Sequence, residues 1–366
     1  MKKYLAAIAI IFLGFQSMAQ NSESDSTRRA LLKTLQQTKE DTNRVNAIIK
    51  YGDWWSKTNL DSALTCYLKA EKLGQKLKYV RGELKGLAAQ STIFVQKGKY
   101  NDAIEVTQRA MAIAEKKGSL RQKAVAAGNV GHAYVQSGKT MEAIPLLMKA
   151  NTQLEQLHDS TSVCIFSANI AHVYADLKQY NICLSYVKKA YAFCKPNDTR
   201  QVATCLNNIT QIYALLKNYK EAERYGTLAL TKARESGALT PLCNALINMG
   251  TQVYLNTGRI PEAIALNDEA LSIAKKLNYP DFQLGALEGL ALGHFKLENY
   301  AKADFYLNEA ISLVDSTEIE HEELGEIYQV KSQLDFIRKD YRSAYEALAK
   351  YSTINDTLTN LKHKGG

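Results

Sequence analysis

Past its first fifteen or so residues the chain has no apolar run near the ~18–20 residues that a membrane-spanning helix requires. It also lacks a glycine-rich loop that could cradle phosphate, a nucleophile elbow, and any CxxC pair. His321-Glu322-Glu323 has the first half of a zinc-protease helix motif, but no second histidine follows at the required position. These absences remove the commonest signatures of nucleotide-dependent, hydrolytic and metal-dependent enzymes. Proline is scarce, five in 366 residues. Pro196, Pro241 and Pro280 fall where helices must stop, and Pro261 suits a first helical turn, where its missing N–H costs nothing.

What the chain has instead is a period. A small residue returns at Ala63, Ala103, Ala143, Cys183, Ala222, Ala263, Ala303 and Ala344, with spacings of 40, 40, 40, 39, 41, 40 and 41. Nine residues earlier stand Trp54, Phe94, Tyr134, Tyr174, Tyr213, Tyr254 and His294, and in the last unit Asp335. Seven later stand Ala70, Ala110, Ala150, Ala190, Ala229, Ala270 and Ala310, and in the last unit Tyr351. Tyr100, Tyr180, Tyr219, Tyr300 and Tyr341 precede the slot by three, often after a turn marked by Gly98, Gly138 or Gly258. Apolar residues between these landmarks follow helical spacing, so each unit reads as two antiparallel helices. A period held over nearly three hundred residues predicts a stacked array, which offers a long binding surface. The small slots sit on one face of the second helix and admit a close neighbour, with the aromatic of the first helix beside them.

The runs GNVGHAYVQSGKTMEAI, ANIAHVYADLKQYNICL, NNITQIYALLKNYKEAE and INMGTQVYLNTGRIPEAI resemble the tetratricopeptide repeat. The resemblance covers about residues 42–352 and implies an all-α, right-handed α-solenoid of about eight helical hairpins. The unit is near 40 residues rather than about 34, which resembles the family's long-helix subclass of peptide-binding and signalling adaptors. A HEAT-type solenoid shares the 40-residue period, but the aromatic/small/small code argues against it.

The ends divide the chain further. MKKYLAAIAIIFLGFQSMAQ reads as a secretory signal peptide, residues 1–19, cleaved after Ala19. A retained anchor helix is the alternative. Residues 20–27 read as a disordered leader, 28–352 as the solenoid and 353–366 as a C-terminal tail. The mature protein is thus expected to be periplasmic or secreted. Residues 21–120 carry 18 basic and 11 acidic side chains, residues 121–280 carry 17 and 11, and residues 281–366 carry 9 and 15. The final unit's Glu318, Glu320, Glu322, Glu323 and Glu326 make an acidic end to a basic body. Such asymmetry steers an acidic partner or head-to-tail contacts, or simply reflects solvated helix faces. Scattered lysines and an export signal speak against nucleic acid. Of the six cysteines, Cys66, Cys183 and Cys243 read as packing residues, and Cys194 has either Cys164 or Cys205 as a disulfide partner, unless all six simply pack.

The resemblance places the first helix of each unit on the inner surface. Its polar columns are Asn129, Asn169 and Asn208; Thr92, His132, His172, Gln211 and Gln252; Asn207 and Asn248; and Gln96, Gln136, Asp176 and Asn256. An amide donates and accepts, so a ladder of them can hydrogen-bond the backbone of an extended peptide. The same asparagines can instead hold one helix to the next. His132 and His172 stand one repeat apart, but packed helices lie about 8–10 Å apart and no third ligand is evident, so no metal or cofactor is expected. A pH-sensitive patch is the better use of that pair. The adjacent Trp54 and Trp55 predict one core side chain and one that faces outward or lies beneath the N-terminal helix.

LLKTLQQTKEDTNRVNAIIKYGDWW, followed by NLDSALTCYLKAEKLG, further resembles the start of exported tetratricopeptide sensor regions on bacterial histidine kinases. The sequence reading is therefore an exported, non-enzymatic scaffold or receptor that binds a peptide or protein in its concave groove. The alternative is a periplasmic sensor module of a two-component-type signalling system, detached from or lacking its membrane helix and kinase, that works with a membrane-bound signalling partner.

Overall fold

The computed structural model describes residues 21–37, 39–56, 58–317 and 324–364. All regular structure among them is helical. The helices are α1 Asn21–Gln37, α2 Thr42–Trp55, α3 Leu60–Lys76, α4 Val80–Gln96, α5 Tyr100–Lys117, α6 Leu120–Gln136, α7 Thr140–Gln156 and α8 Ser160–Asp176. They continue as α9 Tyr180–Phe193, α10 Thr199–Leu215, α11 Tyr219–Ser236 and α12, which runs Leu239–Ile247, then a π-helical stretch Asn248–Tyr254, then Leu255–Thr257. The last five are α13 Ile260–Leu277, α14 Pro280–Lys296, α15 Tyr300–Thr317, α16 Leu324–Ile337 and α17 Tyr341–Lys364. The chain divides into two compact units between Gln179 and Tyr180. Each is a stack of antiparallel helical hairpins, a solenoid built by sequential packing of neighbours.

Both small-residue columns are buried as the period requires. Ala63, Ala103, Ala143, Cys183, Ala222, Ala263 and Ala303 have no exposed surface, and Ala70, Ala110, Ala150, Ala190, Ala229, Ala270 and Ala310 are buried beside them. The aromatic column packs around these slots. Tyr213 stacks on Tyr225 at 5.6 Å between centroids, and His294 stacks on Tyr306 at the same distance.

One turn closes the hairpins from the second unit onward. The N–H five residues after the aromatic position donates to that residue's carbonyl, from Lys139 to Tyr134, Gln179 to Tyr174, Asn218 to Tyr213, Arg259 to Tyr254 and Asn299 to His294. This is the 6→1 bond of a helix-ending motif whose penultimate residue is left-handed. Gly98, Gly138 and Gly258 hold that place, and Lys178, Lys217, Glu298 and Lys339 hold it elsewhere with φ of 57°, 58°, 58° and 64°. The glycines marked the turn in the sequence, and the other units bear left-handed strain instead. Lys178→Gly is therefore expected to stabilise the chain by about 0.5–1 kcal/mol, read as a higher urea midpoint. A lower midpoint would show that the Lys178 conformation is not strained.

Several expectations change. Residues 21–27, read as a disordered leader, begin α1. The helix needs only one anchored stripe, which Leu31, Leu32 and Leu35 supply as partly buried side chains. The expected tail from 353 is the continuation of α17, since no glycine or proline interrupts it before Gly365. Pro241 and Pro280 lie inside first helical turns, at the third and first positions of α12 and α14, rather than between helices. Neither tryptophan is fully buried, although Trp55 packs against the core cluster of Ala63, Tyr67 and Ile93. Trp54 and Trp55 are both half-buried, edge to face at 4.8 Å, with the Arg28 guanidinium of α1 lying 5.2 Å and 6.0 Å from their rings. Residues 1–19, His321 and Glu318, Glu320, Glu322 and Glu323 lie outside the described residues. No helix among the described residues is long and apolar enough to cross a membrane.

Much of the charge is spent between second helices of successive repeats. Glu71 pairs with Arg109, Arg234 with Glu269 at 3.1 Å, and Lys275 with Glu309 at 2.6 Å. The more exposed Arg234–Glu269 and Lys275–Glu309 pairs contribute only about 0–1 kcal/mol each.

Candidate functional site

In the unit that ends at Gln179, the polar columns fall on α6 and α8. Asn129, His132 and Gln136 lie three, four and seven residues apart, which puts them on one helix face. All three are half-buried, with surface left for a ligand. On α8, Asn169 is buried at 7%, His172 is half-buried, and Asp176 is exposed with its Oδ2 3.3 Å from His172 Nδ1. Desolvation, reinforced by the charge of His172, pushes the His132 imidazole down to about 4. His132 is thus neutral near pH 7, where one ring nitrogen donates and the other accepts.

Asn129 opens into a cleft of ≈ 100 Å³ between α4 and α6. Leu84 and Ala88 of α4, Ala110 of α5, and Val125 and Ala126 of α6 make its apolar lining. Arg81 and Lys85 of α4 and Arg121 and Gln122 of α6 complete it. Arg121 is held by Asp159 at 2.7 Å and donates to Ser162 Oγ at 3.4 Å. The cleft therefore joins an amide, an apolar floor and a cationic rim, a combination suited to a peptide segment with a carboxylate or carbonyl at its edge.

The unit that begins at Tyr180 treats its amides differently. Asn207, Asn208, Gln211, Asn248 and Gln252 are all at most 4% exposed. Asn248 Nδ2 donates to Asn207 Oδ1 at 3.1 Å, which joins α10 to α12. It also lies 3.4 Å from Asn244 Oδ1, and Gln252 Nε2 donates to Asn248 Oδ1 at 3.3 Å. The five expected ligand-facing amides are here packed between helices: Asn207, Asn248 and Gln252 bond to one another, whereas Asn208 Oδ1 is buried without a hydrogen-bond partner. The π-helical stretch carries two members of this network, Asn248 and Gln252. Its Gly250 permits the approach of α13, since a Cβ there would meet Asn267 Nδ2 at 2.5 Å and Ala263 O at 3.0 Å. Thr251 Oγ1 donates to Asn267 Oδ1 at 3.0 Å in the same layer.

Only the end of that column reaches solvent. Gln252 and the exposed Asn256 line a cleft of ≈ 310 Å³ with Tyr180, Ala214, Leu215, Lys217 and Tyr219. Asn256 Nδ2 donates to the Gln252 carbonyl at 2.8 Å, so its Oδ1 is the atom left to accept from a ligand.

The polar-column reading missed the cationic rim. Arg81, Arg121 and Arg200 all stand 22 residues before their small slots, a recurrence visible in the sequence. It went unread because arginine at a helix start has no single meaning until its neighbours are placed. Tyr180 and Tyr219 were legible as landmarks near a turn, but neither they nor Lys217 were legible as walls of a cleft.

Residues 161–235 match the family profile described as tetratricopeptide repeat. No curated protein sequence matches the chain. A signal transduction ATPase with numerous domains that carries a tetratricopeptide repeat sensor, from Pyrococcus horikoshii, is 16% identical with a TM-score of 0.68 over 95% of this chain. This chain spans 56% of that protein's length. The apo quorum sensor NprR from B. thuringiensis is 16% identical, TM-score 0.66, over 96% of this chain and 97% of its own. Aspartyl phosphate phosphatase F from Bacillus subtilis is also 16% identical, TM-score 0.61, over 96% and 91%. At such identities the likeness is one of fold. The chain carries tetratricopeptide repeats and has an all-α, tetratricopeptide-like solenoid fold.

Proposed function

We propose that the chain is a non-enzymatic, exported scaffold or receptor that captures a peptide or protein partner on its first-helix columns. The observation that carries this reading is the cleft between α4 and α6, where Asn129 stands over an apolar floor rimmed by Arg81, Lys85 and Arg121. Asn129, His132, Gln136 and His172 keep surface for a ligand in the unit that ends at Gln179. Asn256, with the edge of Gln252, offers it in the other. Binding there uses amide hydrogen bonds to a peptide backbone, with the cationic rim favouring an acidic residue. Capture is an equilibrium without turnover.

Peptide libraries of varied charge, titrated against the mature chain by fluorescence anisotropy, test this. Asn129→Ala with Lys85→Ala is expected to weaken the best binder by about tenfold, or about 1.4 kcal/mol. Helicity and melting temperature should stay near those of the parent. Unchanged affinity would overturn the groove assignment.

The pattern of residues 1–19 supports export, and N-terminal sequencing of the protein from a cell-envelope fraction is expected to begin at Gln20. A full-length chain in the cytosol would oppose it. A sensory role is the second reading, since two of the similar proteins are a quorum sensor and an ATPase with a tetratricopeptide repeat sensor. It requires a ligand-dependent change in affinity for a membrane-bound signalling partner.

A further inference from the structure

We propose that Cys194 and Cys205 are a dithiol modification site that closes to a disulfide by exchange with a low-molecular-weight disulfide. Their Sγ atoms lie 3.2 Å apart. A bond at about 2.05 Å thus needs only a small rotation of the two side chains.

The turn they span is unlike its counterparts. The second helix α9 has 14 residues, where α3, α5, α7, α11 and α13 have 17 or 18. It ends at Phe193, and five residues, 194–198, precede α10. The other described junctions between repeats, 77–79, 118–119, 157–159, 237–238 and 278–279, take two or three. Here the last helical turn is missing, Pro196 occupies the gap, and the thiol pair bridges its two sides. A covalent link would supply the constraint that intrahelical hydrogen bonds supply elsewhere.

Access separates this pair from the other cysteines. Cys194 alone of the six is not buried. Burial pushes the thiols of Cys66 and Cys243 up, the latter to about 12, so they stay protonated and unreactive. Cys194 is therefore the entering nucleophile, and the buried Cys205 resolves. Cys194 loses its proton to solvent, and its sulfur attacks one sulfur of the small disulfide. This forms a mixed disulfide and expels one thiolate, which takes up a proton. Cys205, deprotonated in turn, attacks the Cys194 sulfur, forms the protein disulfide and expels the second thiolate. Two protein thiols are oxidised, and one external disulfide is reduced to two thiols.

The test equilibrates the full chain with glutathione disulfide and glutathione, traps remaining thiols by alkylation, and maps peptides by mass spectrometry. The wild type is expected to lose the mass of two hydrogens, with one link joining Cys194 to Cys205, and to melt several degrees higher until dithiothreitol reverses it. Cys205→Ser is expected to hold glutathione on Cys194, while Cys164→Ser leaves the link intact. A wild type that accumulates glutathione on Cys194 without closing overturns the proposal. So does a link from Cys194 to any other cysteine, or its loss in Cys164→Ser. The wild-type map decides the matter even if Cys205→Ser folds poorly.

Discussion

Asn248→Ala is expected to destabilise the unit that begins at Tyr180 by about 2–4 kcal/mol, although a surface ladder of amides would predict almost no effect. The side chain donates to Asn207 Oδ1 at 3.1 Å and accepts from Gln252 Nε2 at 3.3 Å, and all three residues are at most 4% exposed. Truncation strands an acceptor on the buried Asn207 and a donor on Gln252. Each orphaned buried group costs about 1–3 kcal/mol. The lost Asn207 contact also loosens α10 against α12, so hydrogen exchange should rise across both helices before it rises in α6. Asn129→Ala, in the half-buried and open cleft, should cost less than about 0.5 kcal/mol. Urea titration followed by exchange mass spectrometry compares the two. Equal, small losses would mean that the Asn248 network adds nothing to the packing.

Acid will separate the His132 column from its neighbours. Its folded imidazole titrates near 4 against 6.5 in the unfolded chain. Between these values the unfolded state binds a proton that the folded state refuses, so stability falls as pH falls. The contribution is whole above pH 6.5 and is lost by about 3 kcal/mol at pH 4. Glu83 works in the other direction. Burial raises its carboxyl, which favours the folded state on acidification, so the raw pH profile mixes opposing signs. The clean measurement is the difference between the wild type and His132→Gln. The chain already uses glutamine in this column, at Gln211 and Gln252. The variant is expected to lose less stability between pH 7 and 4.5 by about 2–3 kcal/mol. Parallel profiles would show that His132 is accessible enough to protonate freely in the folded chain.

The same columns show what sequence can and cannot resolve. Asn129 and Asn208 occupy one column, fourteen residues before their slots, and are the same residue type. One opens into a cleft and the other is sealed at 2% exposure. Nothing local distinguishes them. The difference lies in the surroundings, a cleft lined by Ala88 and Val125 with a cationic rim in one case, and closed helix packing in the other. Likewise Cys194 had two plausible partners by chain position, and only the shortened α9 with its five-residue turn brings Cys205 within 3.2 Å.

Periodicity alone settled the hairpins, their number and the buried alanine seams, because a small side chain recurring every 40 residues demands a close neighbour in every repeat. It also marked three of the left-handed turns, through Gly98, Gly138 and Gly258. Which polar side chains remain open to a ligand was left to the packed chain. Exposure belongs to a residue's surroundings, and those are furnished by side chains some forty positions away, brought alongside only when the helices stack.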